Sequence, residues 1–175
     1  MKEIVKWTYE FSKNGVPVEH AVPGETVKFI AEDGLGGQIQ QNDQLLTDIV
    51  FEKCNGAAGP LYIDGAEPGD ALAVDILNID VADHGVACTI EGMGPLWDSC
   101  ELRTHRFEIR DGYALFNDGV KWPIDPMIGV IGTAPDGDDV PTGYVFNGGG
   151  NMDSRTIRKG ATVCFPVRVQ GAMLC

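Results

Sequence analysis

Positive charge is scarce in this chain. Thirteen Lys and Arg stand against twenty-six Asp and Glu, giving a net charge of −13. Such a surface repels nucleic acid and anionic membranes. The densest basic run, RTIRK (155–159), is too short to reverse this. Long apolar runs are also missing, and no window approaches the roughly 18 to 20 apolar residues of a membrane helix. The opening MKEIVKWTYEF places Glu3, Lys6 and Glu10 among its apolar residues, unlike the apolar region of a secretory signal. These features predict a cytoplasmic protein with no nucleic-acid and no membrane partner.

Cysteine is sparse and unpaired in pattern. The five cysteines are an odd number and form no CxxC, which argues against a disulfide framework and a thiolate zinc site. The three histidines, His20, His84 and His105, show neither HxxxH nor HExxH spacing. There is no GxSxG and no P-loop. Cys100 with His105 is left as an unspecific pair for a cysteine nucleophile, since such partners meet in the fold rather than in sequence.

Helical signal is thin as well. QNDQLLTDIVFEK (41–53) is the one stretch that predicts a short helix, capped by Asn42 or Asp43. What fills the chain instead is short alternating or β-branched runs between glycines and prolines. The 23 Gly and 10 Pro are spread throughout, so they punctuate many short elements rather than mark a linker. Asp111-Gly112 is a two-residue hairpin signal, and EPGD (67–70) a tight turn feeding a strand from Ala71. The pattern predicts a mainly β fold, sandwich or barrel-like, as a single β-rich domain over residues 1–175. The apolar end VCFPVRVQGAMLC predicts association, because something should cover it.

Three polar constellations stand out. In EDGLGGQIQ (32–40), Glu32 and Asp33 end a β run beside a glycine-rich loop, and Gln38 follows. A carboxylate there is either a metal ligand or general base, or a solvated turn acid. In NGGGNMD (147–153), three glycines permit close approach of a ligand, and their N–H groups can receive an oxyanion. Asn151 and Asp153 then either aim at one bound atom or form a loop with Asp153 as a turn cap. APDGDDVPTG (134–143) lacks the order of a calcium loop and reads as a solvated acidic turn.

Taken in order, GGQI (36–39), GPLYIDGAEPGDALAVDIL (59–77), PMIGVIGTAP (126–135), GGNMD (149–153) and VCFPVRVQGAML (163–174) resemble the signature blocks of the acetamidase/formamidase family. The resemblance runs from about Val27 onward. It implies a largely β-structured, oligomeric amidohydrolase that splits formamide or acetamide into ammonia and a carboxylate with a divalent metal, zinc or calcium. Carried onto this chain, it implies Asp33, Asn151 and Asp153 as catalytic residues, with Asp33 and Asp153 as metal ligands or general base. Gln38, Gly149 and Gly150 would bind the substrate. Two departures accompany it. Gly148 stands where the family usually has a His, and family members continue past GAML into a block rich in His, Asp and Glu. The chain therefore reads as the N-terminal portion of such an enzyme: truncated, or one half of a split or cleaved one, associating with itself or with a C-terminal fragment. The alternative is a catalytically incomplete β scaffold.

Overall fold

A computed structural model describes residues 1–175. It is mainly β, with seventeen short strands and three single 3-10 turns. The strands assemble into seven small sheets, one of four strands, one of three and five of two. Strands this short follow from the glycine and proline punctuation, which ends each run before it can lengthen.

The chain divides into two compact units. The first comprises Met1–Gly36, Glu52–Ile79 and Pro126–Cys175. Its core gathers Ile4, Leu61, Ile63, Ile131, Phe165 and Leu174 from distant parts of the chain. Two pairings are parallel, Lys2–Ile4 with Val27–Phe29 and Glu19–Ala21 with Leu61–Ile63. Ala71–Asp75 pairs antiparallel with Thr162–Pro166. The turn before it forms as the sequence predicts, with the Asp70 N–H donating to Glu67 O at 3.0 Å. The Glu67 N–H donates in return to the Asp70 carboxylate at 3.0 Å.

The second unit comprises Gly37–Phe51 and Asp80–Asp125. Its sheet is a four-stranded antiparallel meander in the order Val120–Pro123, Tyr113–Asn117, Thr104–Arg110, His84–Cys88. The predicted hairpin is present: Arg110 faces Tyr113, and Asp111 and Gly112 take φ of 52° and 79°. Both values are positive, as a type I′ turn requires. The predicted helix over 41–53 does not form. The segment holds only the 3-10 turns Leu46–Asp48 and Phe51–Lys53. Thr47, Ile49 and Val50 are β-branched, and a few residues cannot offset the cost of helix nucleation. Asn42 does not cap a helix but accepts the Arg106 N–H at 2.6 Å.

NGGG is not a loose loop. Gly149–Asn151 is the middle strand of a three-stranded sheet, between Val130–Gly132 and Val145–Phe146. A Cβ on Gly148 would lie 2.4 Å from the Phe146 ring, one on Gly149 2.3 Å from Ile131 O, and one on Gly150 2.1 Å from Tyr144 O. Gly149 and Gly150 also take φ of 116° and 100°. The glycines are there because nothing larger fits.

The apolar end of the chain is not a surface patch either. Ala172, Met173, Leu174 and Cys175 are all buried. Leu174 exchanges both backbone hydrogen bonds with Leu61, and Cys175 does the same with Gly132. The expectation of an exposed apolar end therefore falls, because the first unit covers it.

Two outcomes follow. Gly149→Ala should cost roughly 3 kcal/mol or more in urea unfolding, since backbone strain and a backbone clash combine; a cost within experimental error would refute the packing assignment. Burial pushes the Cys175 thiol from 9.0 up to about 12. The unfolded thiol ionises first as pH rises. The stability it contributes should thus be intact below about pH 9 and lost between pH 9 and 12, at about 1.4 kcal/mol per pH unit. Cys175→Ala should remove that part of the alkaline slope in pH-dependent denaturation.

Candidate functional site

The close glycine packing fixes where the next residues go. Strand pairing carries the chain to Asn151, which faces Val130 and donates its N–H to Tyr144 O at 3.0 Å. Met152 packs against the core of the first unit. The N–H groups of Met152 and Asp153 both donate to Gly129 O, at 3.0 and 3.1 Å. That shared carbonyl turns the chain sharply and holds Asp153 at φ 45°, a left-handed conformation that Asp tolerates better than most residues. The Asp153 carboxylate then lies over Gly129, where a Cβ would stand 2.8 Å from its Oδ1. Gly129 is a glycine because the carboxylate occupies its side-chain space.

Asn151 and Asp153 are brought together. With the Asn151 amide nitrogen turned to the carboxylate, it donates to both Asp153 oxygens at 3.3 Å. In the opposite orientation it donates to Gly143 O at 3.4 Å and sets its own oxygen against the carboxylate. Electrostatics selects the first, because it replaces an acceptor–acceptor contact with charge-assisted hydrogen bonds. Asp153 does not cap the following turn. Ser154 does, with its Oγ accepting the Thr156 N–H at 3.4 Å and its carbonyl accepting the Ile157 N–H at 2.9 Å. The carboxylate is thereby spared a structural duty.

Asp33 lies on a turn of the same unit. Its Oδ1 accepts the Leu35 N–H at 2.8 Å, and its carbonyl accepts the Gly36 N–H at 2.9 Å. Asn55 links this turn toward Asn151. It sits at φ 55°, donates its N–H to Gly34 O at 2.9 Å, and places its side-chain amide between Gly34 and Gly143. Cys54 precedes it. Burial, then the charges of Asp33 and Glu52, raise its thiol above the ordinary range, so it is a poor thiolate at neutral pH.

Gln38 belongs to the second unit, where its amide donates to Val50 O at 3.1 Å and accepts the Val50 N–H at 2.9 Å. That two-point pairing closes the Gly37–Phe51 segment. Gly149 and Gly150 are strand residues paired on both sides, so their backbone lies in a ladder rather than an open nest. His105 donates through Nε2 to Phe116 O and packs its ring against Phe107 and Phe116. Sequence reasoning missed Asn55 and Gly129. Gly129 stood inside PMIGVIG, but a glycine kept for a neighbour's side chain looks like any other.

No three His, Cys, Asp or Glu side chains converge into a metal-binding group in this chain. Asp33 and Asp153 can supply at most part of a divalent-ion ligand set, so the donors present do not by themselves fit the expected metal. No helix is long and apolar enough to cross a membrane.

The Acetamidase/Formamidase family profile matches residues 13–142. Over its whole length the fold resembles the acetamidase of Bacillus halodurans, with a TM-score of 0.95 and 38% identity, covering 99% of this chain and 59% of that one. A predicted acetamidase/formamidase from Thermoanaerobacter tengcongensis gives 0.94 and 37%, with 99% and 58% coverage. The acetamidase of Mycolicibacterium smegmatis is 24% identical over 87% of this chain and 54% of its own length. The chain thus spans between half and three-fifths of these relatives.

Separating the cap from the carboxylate gives a stability test. Ser154→Ala should cost about 1 kcal/mol, as lost caps do, whereas Asp153→Asn should stay within about 0.5 kcal/mol. Equal losses in thermal unfolding would return the capping role to Asp153.

Proposed function

The chain belongs to the acetamidase/formamidase family, and from that premise we propose that it hydrolyses the C–N bond of short linear amides such as formamide and acetamide. The observation that carries this reading is the Asn151 amide held against the Asp153 carboxylate over Gly129. An unactivated amide needs a base to take a proton from the attacking water and a proton for the departing nitrogen. Asp153 takes the proton as water adds to the carbonyl carbon. Asp153 returns that proton to the nitrogen as the C–N bond breaks, so ammonia leaves with the carboxylic acid, which ionises to the carboxylate, and Asp153 is regenerated. Asn151 keeps the Asp153 carboxylate aimed. Asp33 is the second carboxylate of the proposal, on the turn that Asn55 ties toward Gly143.

The donors of this chain do not by themselves make up a metal site. Asp33 and Asp153 are proposed as its contribution to a shared ligand set for zinc or calcium, and metal content should fall in Asp33→Asn and Asp153→Asn. That its own donors do not complete a metal site supports a second reading. In it the chain is a cytoplasmic subunit that works as a homo-oligomer or with a complementary fragment.

Ammonia release from formamide and acetamide tests the first reading. Asp153→Asn should lower kcat by about 100-fold or more, and Gly129→Ala should do likewise by displacing the carboxylate. Turnover untouched by both would sink the assignment. Native mass measured on the same samples decides the second: an isolated 18.8 kDa species with full turnover would exclude it.

A further inference from the structure

We propose that the second unit carries a binding site for a small monocarboxylate anion, held on the Arg106 guanidinium. The site shares no residue with the amidase reading and does not depend on it. Strand register builds it. Arg106 and Glu108 are two apart on Thr104–Arg110, so their side chains leave the same face. His84 lies opposite Glu108 in the antiparallel pair with His84–Cys88, and opposite residues share a face too. Asp83 closes the end of that pair, where its carbonyl accepts the Ile109 N–H at 2.7 Å. Asp83, His84, Arg106, Phe107 and Glu108 together line a cavity of about 240 Å³. The Asp83 side chain is 92% exposed, so the cavity is reached from solvent.

Charge accounting singles out one group. Asp83 Oδ1 accepts from His84 Nδ1 at 2.7 Å. Glu108 Oε1 pairs with Arg110 Nη1 at 3.1 Å. Each carboxylate lining the cavity thus already has a donor. Arg106 is different. Its backbone N–H is taken by Asn42 at 2.6 Å, but its guanidinium makes no ion pair, and its Nε is enclosed by protein without an acceptor. A buried donor left unpaired is costly. The enclosure also pins the group. Its terminal nitrogens, which carry all its other N–H donors, are left to meet a ligand in the cavity that Arg106 lines.

Shape and charge give the ligand class. The cavity is smaller than the roughly 300 Å³ at which drug-sized ligands begin to fit, so the ligand is small. A guanidinium presents parallel N–H donors that match the two oxygens of a carboxylate. Asp83 and Glu108 border the same cavity, so a dianion such as phosphate is repelled more than a monoanion. A neutral amide of the same shape brings one acceptor oxygen and no charge. Short-chain acids, the product class of amide hydrolysis, therefore fit better than the amides themselves.

The test is titration of the native protein with acetate, acetamide and phosphate by proton–nitrogen correlation NMR, at fixed pH and ionic strength. The Arg106 Nε–H is itself a signal in such spectra. Acetate should shift it, with the backbone N–H groups of 83–86 and 104–108, along one saturating curve. Acetamide and phosphate should each bind about tenfold more weakly or worse. Acetate shifts absent from these residues, or matched by acetamide or phosphate, overturn the proposal, and this comparison needs no variant to fold. A shift shared equally by the side chains of Arg103 and Arg110 is a general ionic effect and overturns it as well. Arg106→Gln should weaken acetate about tenfold or more. Glu108→Gln removes a neighbouring negative charge and should tighten acetate about twofold or more. Unchanged affinity in the first variant, or weaker binding in the second, also refutes the site.

Discussion

The packing of three glycines against backbone governs this structure. At Gly148, Gly149 and Gly150 a single extra carbon would meet Phe146, the Ile131 carbonyl or the Tyr144 carbonyl. Their absence of side chains lets Gly149–Asn151 lie between Val130–Gly132 and Val145–Phe146, with the Phe165 ring packed close against Gly149. The chain leaves that strand with no freedom of register, since a one-residue slip would bring Asn151 into space only glycine fits. Everything chemical follows from this exit. Asn151 ends the strand, Met152 turns inward, and the Gly129 carbonyl bends the chain so that Asp153 stands over a second, conformationally ordinary glycine.

A second constraint secures the first. Cys175 exchanges hydrogen bonds with Gly132, the residue that pairs with Gly149. Leu174 does so with Leu61. The last residues therefore join the strand beneath the site to the 61–63 strand, and their side chains enter the core. The first unit is held by pairings between positions far apart in sequence. The second unit's sheet is a meander, each strand beside the one before it. Nearly all the candidate chemistry lies in the first, where long-range pairing positions side chains that local structure could not.

The legible parts of the sequence were the local ones. The Asp111-Gly112 hairpin and the Glu67–Asp70 turn were readable because each depends on a few adjacent residues with distinctive backbone preferences. The mainly β character was readable from alternation and from the scarcity of helical runs. GGNMD pointed to Asn151 and Asp153 as candidate residues, and the fold brings their side chains together. Several features misled. NGGG has the same letters whether the backbone is loose or tightly packed. DSRT offers two capping residues, and only the fold decides that Ser154 takes the turn. The apolar tail reads as exposed until the core that receives it is known. Arg106 stood in plain view, but burial without a partner is a property of three dimensions.

By itself, the sequence determined the acidic surface, the β character, the turns and the family blocks, because these rest on composition or on residues a few positions apart. Tertiary structure alone decided which carboxylate caps and which is spared, and which glycine is turn and which is space. It also decided where the chain's end goes and which guanidinium nitrogen is left without an acceptor. The physical reason is the same in each case. Burial, close approach and hydrogen-bond satisfaction depend on neighbours brought from distant positions, and a linear pattern of residue types does not carry those distances.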